Sequence, residues 1–248
     1  MAEEHKLTKK EKKELRKMEW SDKAKLNERN AKIKKYSIWG GAIAIIVAVV
    51  AGLVWLVNYS PSSTTGTTVT VAPISSRDMV RGNKNAKAKL IEYGDFQCPA
   101  CGAYYPLVKQ LLADESTNNL QFVYRFFPLV NVHPNAFPAD QAAYAAFKQG
   151  KFWDMYDLLY TNQNDWVNLP DPTQAFNDYA KKLGLDMTKF VADYSSAETK
   201  KYVQDSEDKS TSEGINSTPT FILNGTQITN PQSYADLKKL VNNQINKK

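Results

Sequence analysis

Cys98 and Cys101 are the only cysteines in the chain, and they stand three residues apart where an apolar run gives way to a helical pattern. That placement restricts the fold more than any other feature. Leu90, Ile91 and Tyr93, ahead of Gly94-Asp95, predict a strand ending beside the pair. Pro99 suits the first turn of a helix, where a missing N–H costs nothing. Ala100, Ala103, Leu107, Leu111 and Leu112 then continue at helical spacing. Cys98 is therefore expected at a helix N-terminus, whose unpaired N–H groups and dipole favour a thiolate. Residues i and i+3 share a helix face, so the two sulfurs come within disulfide reach. This is the geometry of a reversible dithiol.

Cys-x-x-Cys alone is shared by redox sites, zinc sites and structural disulfides. A closed zinc site takes four Cys or His ligands. The histidines are His5 and His133, and His5 belongs to a different region of the chain. No metal is expected. A structural disulfide closing so short a loop would constrain the unfolded chain little. Redox chemistry gives both sulfurs a use.

The net charge of +6 suggests nucleic acid until its distribution is read. Residues 1–37 hold 13 Lys/Arg against 7 Asp/Glu, and the rest of the chain holds 19 of each. The excess is confined to the N-terminal tail, and no basic stripe for phosphate contacts follows it, so no nucleic-acid partner is expected. Residues 38–57 form an uncharged apolar run long enough to cross a bilayer. Tyr36 and Trp39 flank one end, Trp55 and Tyr59 the other, as an interfacial belt would. Only Arg77 is positive in the next 20 residues, which predicts a cytoplasmic N-terminus and an extracytoplasmic cysteine-bearing domain. The long preceding tail and the lack of a small-x-small site favour an uncleaved anchor over a signal peptide.

The expected organisation is a basic tail at 1–37, a transmembrane helix at 38–57, a polar linker at 58–73 and a globular domain at 74–248. Val69 and Val71 could begin an edge strand or remain linker. Strands are predicted at Ala88–Tyr93 and Leu120–Phe127 around the helix that carries the cysteines, with Pro106 expected to kink that helix. Helical patterns follow over Asn135–Gln149, Lys151–Asn162, Asp171–Leu183, Met187–Tyr194 and Ala197 to about Ser212. Strands return at Thr220–Leu223 and Thr226–Ile228, joined by the hairpin pair Asn224-Gly225. Ser233 is placed to cap a last helix. The pattern reads as α/β.

From about Arg77 to Gln244 the chain resembles the DsbA-like branch of the thioredoxin superfamily, in its membrane-anchored bacterial type. The resemblance rests on Val80-Arg81-Gly82-Asn83, Asp95-Phe96-Gln97-Cys98-Pro99-Ala100-Cys101, Phe127-Pro128-Leu129 with His133-Pro134-Asn135-Ala136, Gly150-Lys151-Phe152-Trp153, and Ser217-Thr218-Pro219-Thr220-Phe221. It implies a thioredoxin-like fold with an inserted helical block at about 133–212, preceded by the transmembrane helix. It also implies a cis-proline loop at Thr218-Pro219 that receives an extended substrate, and a buried acid, Glu92, beneath the disulfide. Cys98 is the expected nucleophile and Cys101 the resolving thiol. Pro99 and Ala100 lie between them and tune the pair, although Ala100 replaces the histidine of the family's strong oxidants. His133 reads as a cap or loop residue.

The resemblance implies an enzyme that introduces disulfides into exported proteins. No cofactor is expected beyond the Cys98–Cys101 disulfide, which a membrane quinone-linked partner resembling DsbB or VKOR would regenerate. Reduction at the same site, and a non-catalytic binding or assembly role, are the alternatives. A binding module has no use for a dithiol at a helix tip.

Overall fold

Alternation along two strands decides which side chains lie beneath the cysteine pair. The computed structural model describes residues 69–114 and 117–247, with Trp20 and Lys23. By its contacts the chain divides into residues 1–62 and 63–248. The expected tail, the span at 38–57 and the linker as far as residue 68 lie outside this description, apart from those two residues. Among the described residues no helix is long and apolar enough to cross a membrane.

In chain order the elements are β1 (Met79–Gly82), β2 (Ala88–Gly94), α1 (Pro99–Ala113) and β3 (Leu120–Phe126). A helical block follows: α2 (Ala136–Phe147), α3 (Phe152–Thr161), α4 (Gln163–Trp166), α5 (Thr173–Lys182), α6 (Met187–Ser195) and α7 (Ala197–Ser212). The chain then returns through β4 (Thr220–Leu223) and β5 (Thr226–Ile228) to α8 (Tyr234–Ile245). The described strands form a five-stranded sheet in the order β1-β3-β2-β4-β5. β2 and β3 are parallel, joined by α1 as the crossover such a pair needs. The other neighbours are antiparallel.

Successive strand residues face opposite sides. Leu90, Phe122, Tyr124, Phe126, Phe221 and Leu223 enter the larger core, together with Cys98, Cys101 and the buried faces of the helical block. Ile91, Tyr93, Val123 and Ile222 enter a smaller one with Ile215. Glu92 shares the parity of Leu90 and stands opposite Tyr124 in the ladder. An acid is thereby delivered to the apolar side that holds the cysteines.

Local chemistry accounts for most element boundaries. Ser233 accepts from Asp236 N at the start of α8, as its position predicts, and Asp186 and Ser196 do the same for α6 and α7. Asn224 (φ 48°) and Gly225 (φ 80°) both adopt the left-handed region that a tight β4–β5 hairpin demands. The strand β1 departs from expectation, because its four residues bury only Met79 fully and leave too little alternation to read. Val69 and Val71 form no strand, yet Val69 N donates to Gly225 O (3.2 Å) and both side chains pack on the smaller core. α1 continues through Pro106 as one helix.

Gly94 ends β2 against the Tyr124 ring, and a Cβ there would lie 2.4 Å from the ring carbon Cε2. Tyr124 cannot yield: it is 1% exposed, bonded to the Tyr160 hydroxyl (2.8 Å) and packed against Phe96, Phe126 and Tyr156. Gly94→Ala should therefore cost about 1–3 kcal/mol of stability, as overpacking does, seen as a lower urea midpoint at unchanged slope.

Candidate active site

Cys98 is the N-cap residue of α1, in extended conformation (φ −64°, ψ 123°), with no side-chain cap on the helix. Its own N–H donates to Asp95 O (3.1 Å) and Asp95 Oδ1 (3.2 Å). Its carbonyl accepts from Gly102 N (3.1 Å), the first intrahelical bond, and from Gln163 Nε2 (3.0 Å), which also reaches Phe96 O (2.7 Å). Glycine at 102 makes room for that amide, since a Cβ would lie 2.4 Å from Gln163 Oε1. The turn before the helix is thus held from both sides, while the first helical N–H groups are left for the sulfur.

Both cysteines are free thiols, and their environments differ sharply. The Cys98 sulfur is held down to about 5: the Cys101 thiol stabilises its ionised form most, and Thr218 and the N–H groups of Cys101 and Ala100 add to this against the cost of burial. Cys101, one turn inside, is fully buried. Burial pushes its thiol well above the usual range, helped by its hydrogen bond to Cys98 and by the charges of Glu92 and Cys98.

Glu92 lies on the same side and is 1% exposed. Neither carboxylate oxygen has a hydrogen-bond partner among the described residues. Burial, and then the Cys98 charge, push its carboxyl up to about 8. The floor of the site is aromatic: Phe96 packs on Tyr124 (5.2 Å) and Tyr160 (4.9 Å), and Tyr156 joins both. Across the pair, the Thr218-Pro219 peptide is cis and the Cys98 thiol donates to Thr218 O at 3.5 Å. Pro99 and Ala100 are exposed at the helix tip. Cys98, Cys101, Glu92 and Thr218 therefore meet at one place, although Thr218 arrives from 120 residues away.

Sequence reasoning left four residues of this site without a role: Asp95, Gln97, Asn135 and Gln163. Asp95 is fully buried and accepts from Gln97 N (2.7 Å) and Cys98 N. Gln97 spans two loops, accepting from Asn135 N (2.6 Å) and donating to Val167 O (2.8 Å). Asp95, three residues ahead of a helix N-cap, carried a readable signal as an acceptor for nearby turn amides. Gln163 and Asn135 carried none, because the helical block brings them in from far along the chain.

The sequence model of a family described as Thioredoxin matches residues 75–243. A protein named Na(+)/H(+) antiporter NhaA 1, from Salinispora arenicola, is 38% identical over 149 residues, which are 60% of this chain and 22% of the antiporter. Across the first such relatives the chain spans between 22% and 28% of their length. Among solved structures, oxidised BdbD from Bacillus subtilis superposes with a TM-score of 0.61 at 19% identity, covering 72% of this chain and 98% of that one. A thioredoxin-like oxidoreductase from Silicibacter pomeroyi does so with a TM-score of 0.54 at 22% identity, covering 68% and 92%. At these identities the likeness is one of fold.

Titrating the reduced protein by thiolate absorbance at 240 nm should give a Cys98 midpoint near 5, and a midpoint of about 8 or above, near that of a free cysteine, would remove the helix-tip assignment. Glu92 gives a second test. Its folded pKa of about 8 exceeds the ordinary 4.5, so the folded chain binds that proton more tightly than the unfolded one. The cost of burying the carboxylate is absent below pH 4.5, grows as pH rises toward 8 and is constant above. Reduced Glu92→Gln should thus gain stability over wild type through that window, checked by urea unfolding from pH 4 to about 9. A difference independent of pH would place Glu92 in contact with water.

Proposed function

The chain belongs to the thioredoxin family, and on that premise we propose that it is a thiol–disulfide oxidoreductase working in the oxidising direction on thiols of exported proteins. The observation that carries this reading is the unequal state of the two sulfurs, Cys98 held near 5 and Cys101 pushed well above its usual range. In the oxidised enzyme a substrate thiolate attacks Cys98 Sγ. The Cys98–Cys101 bond breaks, its electron pair leaves on Cys101, and a substrate–Cys98 mixed disulfide forms. Cys101 then holds a proton tightly, and Glu92, neutral below about 8, is the acid placed to supply it. A second substrate thiolate attacks the substrate sulfur of the mixed disulfide. Cys98 departs as a stable thiolate, and the substrate leaves with a disulfide.

The same sulfur supports the oxidising direction. At neutral pH the reduced form gains from a Cys98 thiolate whose midpoint lies about two pH units lower, worth about 3 kcal/mol, or about 60 mV for a two-electron couple. The Ala100 side chain adds no charge or donor, so the Cys101 thiol, Thr218 and the backbone amides of the helix tip supply this. Thr218 and the buried Pro219 border the nucleophile and offer backbone to an extended substrate beside the disulfide.

The apolar run at 38–57 supports a single-pass anchor, with the N-terminus cytoplasmic and the redox domain extracytoplasmic. Reoxidation then falls to a quinone-linked membrane protein resembling DsbB or VKOR, and the protein itself carries no cofactor beyond its disulfide. The relatives named as Na(+)/H(+) antiporters join a segment like this one to a much longer chain. The match covers 22% and 24% of those two relatives, and antiport is no part of the proposal.

Cys101→Ser should accumulate substrates in mixed disulfides through Cys98, seen as adducts on non-reducing gels that dithiothreitol releases. Cys98→Ser should capture few. Equal trapping by both variants would exchange their roles. Equilibration with glutathione fixes the direction: a potential near about −120 mV marks an oxidant, one near about −270 mV a reductant.

A further inference from the structure

Buried Asp95 and half-buried His133 form a pair that the chemistry above does not use. The Asp95 carboxylate is fully buried immediately before α1. Its Oδ1 accepts from Gln97 N (2.7 Å) and Cys98 N (3.2 Å). Its Oδ2 accepts from Leu129 N (3.0 Å) and lies 2.7 Å from His133 Nδ1. A carboxylate only accepts, so Nδ1 carries the proton and donates it to this bond. The imidazole side chain is 19% exposed and is held in its turn by the His133 N bond to Leu129 O (2.8 Å).

This arrangement puts a negative charge one hydrogen bond from the backbone of the nucleophile. Such a charge opposes a second negative charge on the Cys98 sulfur. Asp140, on α2, adds no relief. Both its oxygens are buried without partners among the described residues, and burial followed by the Asp95 charge pushes its carboxyl far up. Glu207 of α7 acts on Asp140 in the same direction. Among the described residues, His133 is the one side chain that hydrogen-bonds the Asp95 carboxylate, and its other three donors are backbone amides.

We propose that His133 is a positioning residue for disulfide exchange: its bond to Asp95 disperses the carboxylate charge and keeps that group on the amides of the turn, which lets Cys98 ionise. The histidine never meets the substrate. Its effect passes through Asp95 to the turn that presents the sulfur. The reading takes the thiol chemistry at Cys98 as given.

The test compares His133→Ala, which removes the donor, with His133→Asn, whose side-chain amide places an N–H where Nδ1 stood. In the full-length protein, the alanine variant should raise the Cys98 midpoint at 240 nm by about one pH unit and shift the equilibrium with glutathione about tenfold toward oxidised protein. The asparagine variant should stay within about threefold of wild type, a difference of about half a pH unit. In an Asp95→Asn background, His133→Ala should have little further effect, because the charge it managed is gone. An unchanged midpoint in His133→Ala, an equal shift in both His133 variants, or an undiminished shift in the Asp95→Asn background would overturn the proposal. If the alanine variant does not fold, His133→Gln takes its place, since its amide sits one bond too far to reproduce Nδ1. The absorbance readout needs no substrate, so a protein that fails to trap partners through Cys98 can still pass or fail this test.

Discussion

A helix N-terminus left without a side-chain cap is the constraint on which the rest depends. The first N–H groups of any helix lack intrahelical partners, and in most helices a serine, threonine or aspartate takes one of them. Here the N-cap residue is Cys98, which makes no such bond. The amides of Ala100 and Cys101 instead favour an ionised sulfur. Anything else that satisfied those amides would remove their share of the thiolate's stabilisation, which adds to the larger share from the Cys101 thiol. Asp95 accordingly takes the amides before the helix, at Gln97 and Cys98, and leaves those inside it alone. Gln163 binds carbonyls and competes for none of the donors.

The apolar floor then separates the groups that titrate. Glu92, Cys101, Tyr124, Tyr156 and Tyr160 are all pushed toward their neutral forms, with burial the leading cause in each. Cys98 alone in this group is pushed toward charge. Buried acids without partners cost stability, and Glu92 is such an acid. What that cost provides is one ionised sulfur above a set of neutral proton carriers, the arrangement in which acid and base roles separate. A polar partner for Glu92 would relieve the cost and lower its pKa, and would also leave Cys101 without a neutral acid beside it.

Much of this was legible in the sequence, for identifiable reasons. The strand ending at Gly94, the helix opening at Pro99, the Asn224-Gly225 hairpin and the Ser233 cap are local patterns, and local patterns survive without tertiary information. Glu92 could be assigned to a face because strand parity is fixed. Its burial could not, since an exposed edge glutamate reads the same. The cysteine pair was visible by itself, whereas Gln163 and Asn135 were not. Each reaches the site through the helical block, and the folding of those helices against α1 is a sum of packing that no spacing records. His133 read as a loop residue, which it is, but the turn that brings it to Asp95 is set by the Leu129 carbonyl.

The two faces of β2 perform separate tasks within one residue of each other. Glu92 turns toward the cysteines, while Tyr93 turns to the opposite face and meets Arg125. That arginine is 7% exposed; it donates to Asp78 Oδ1 (2.7 Å), to the Tyr93 hydroxyl (2.8 Å) and to Ala72 O (2.9 Å). Tyr93 donates in turn to Glu213, whose other oxygen accepts from Ala72 N (2.7 Å). A buried ion pair of this kind adds little net stability, because desolvation offsets much of its attraction. Its consequence is geometric. The network joins the incoming chain at 72–78 to β2, to β3 and to Glu213, which follows α7. Ile215 continues from there into the smaller core, and the chain reaches Thr218 three residues later. The loop beside Cys98 is therefore held from behind the sheet by charges that never approach the sulfur. The Cys98 thiolate on the other face is stabilised first by the Cys101 thiol, with Thr218 and the amides of Cys101 and Ala100 adding to it.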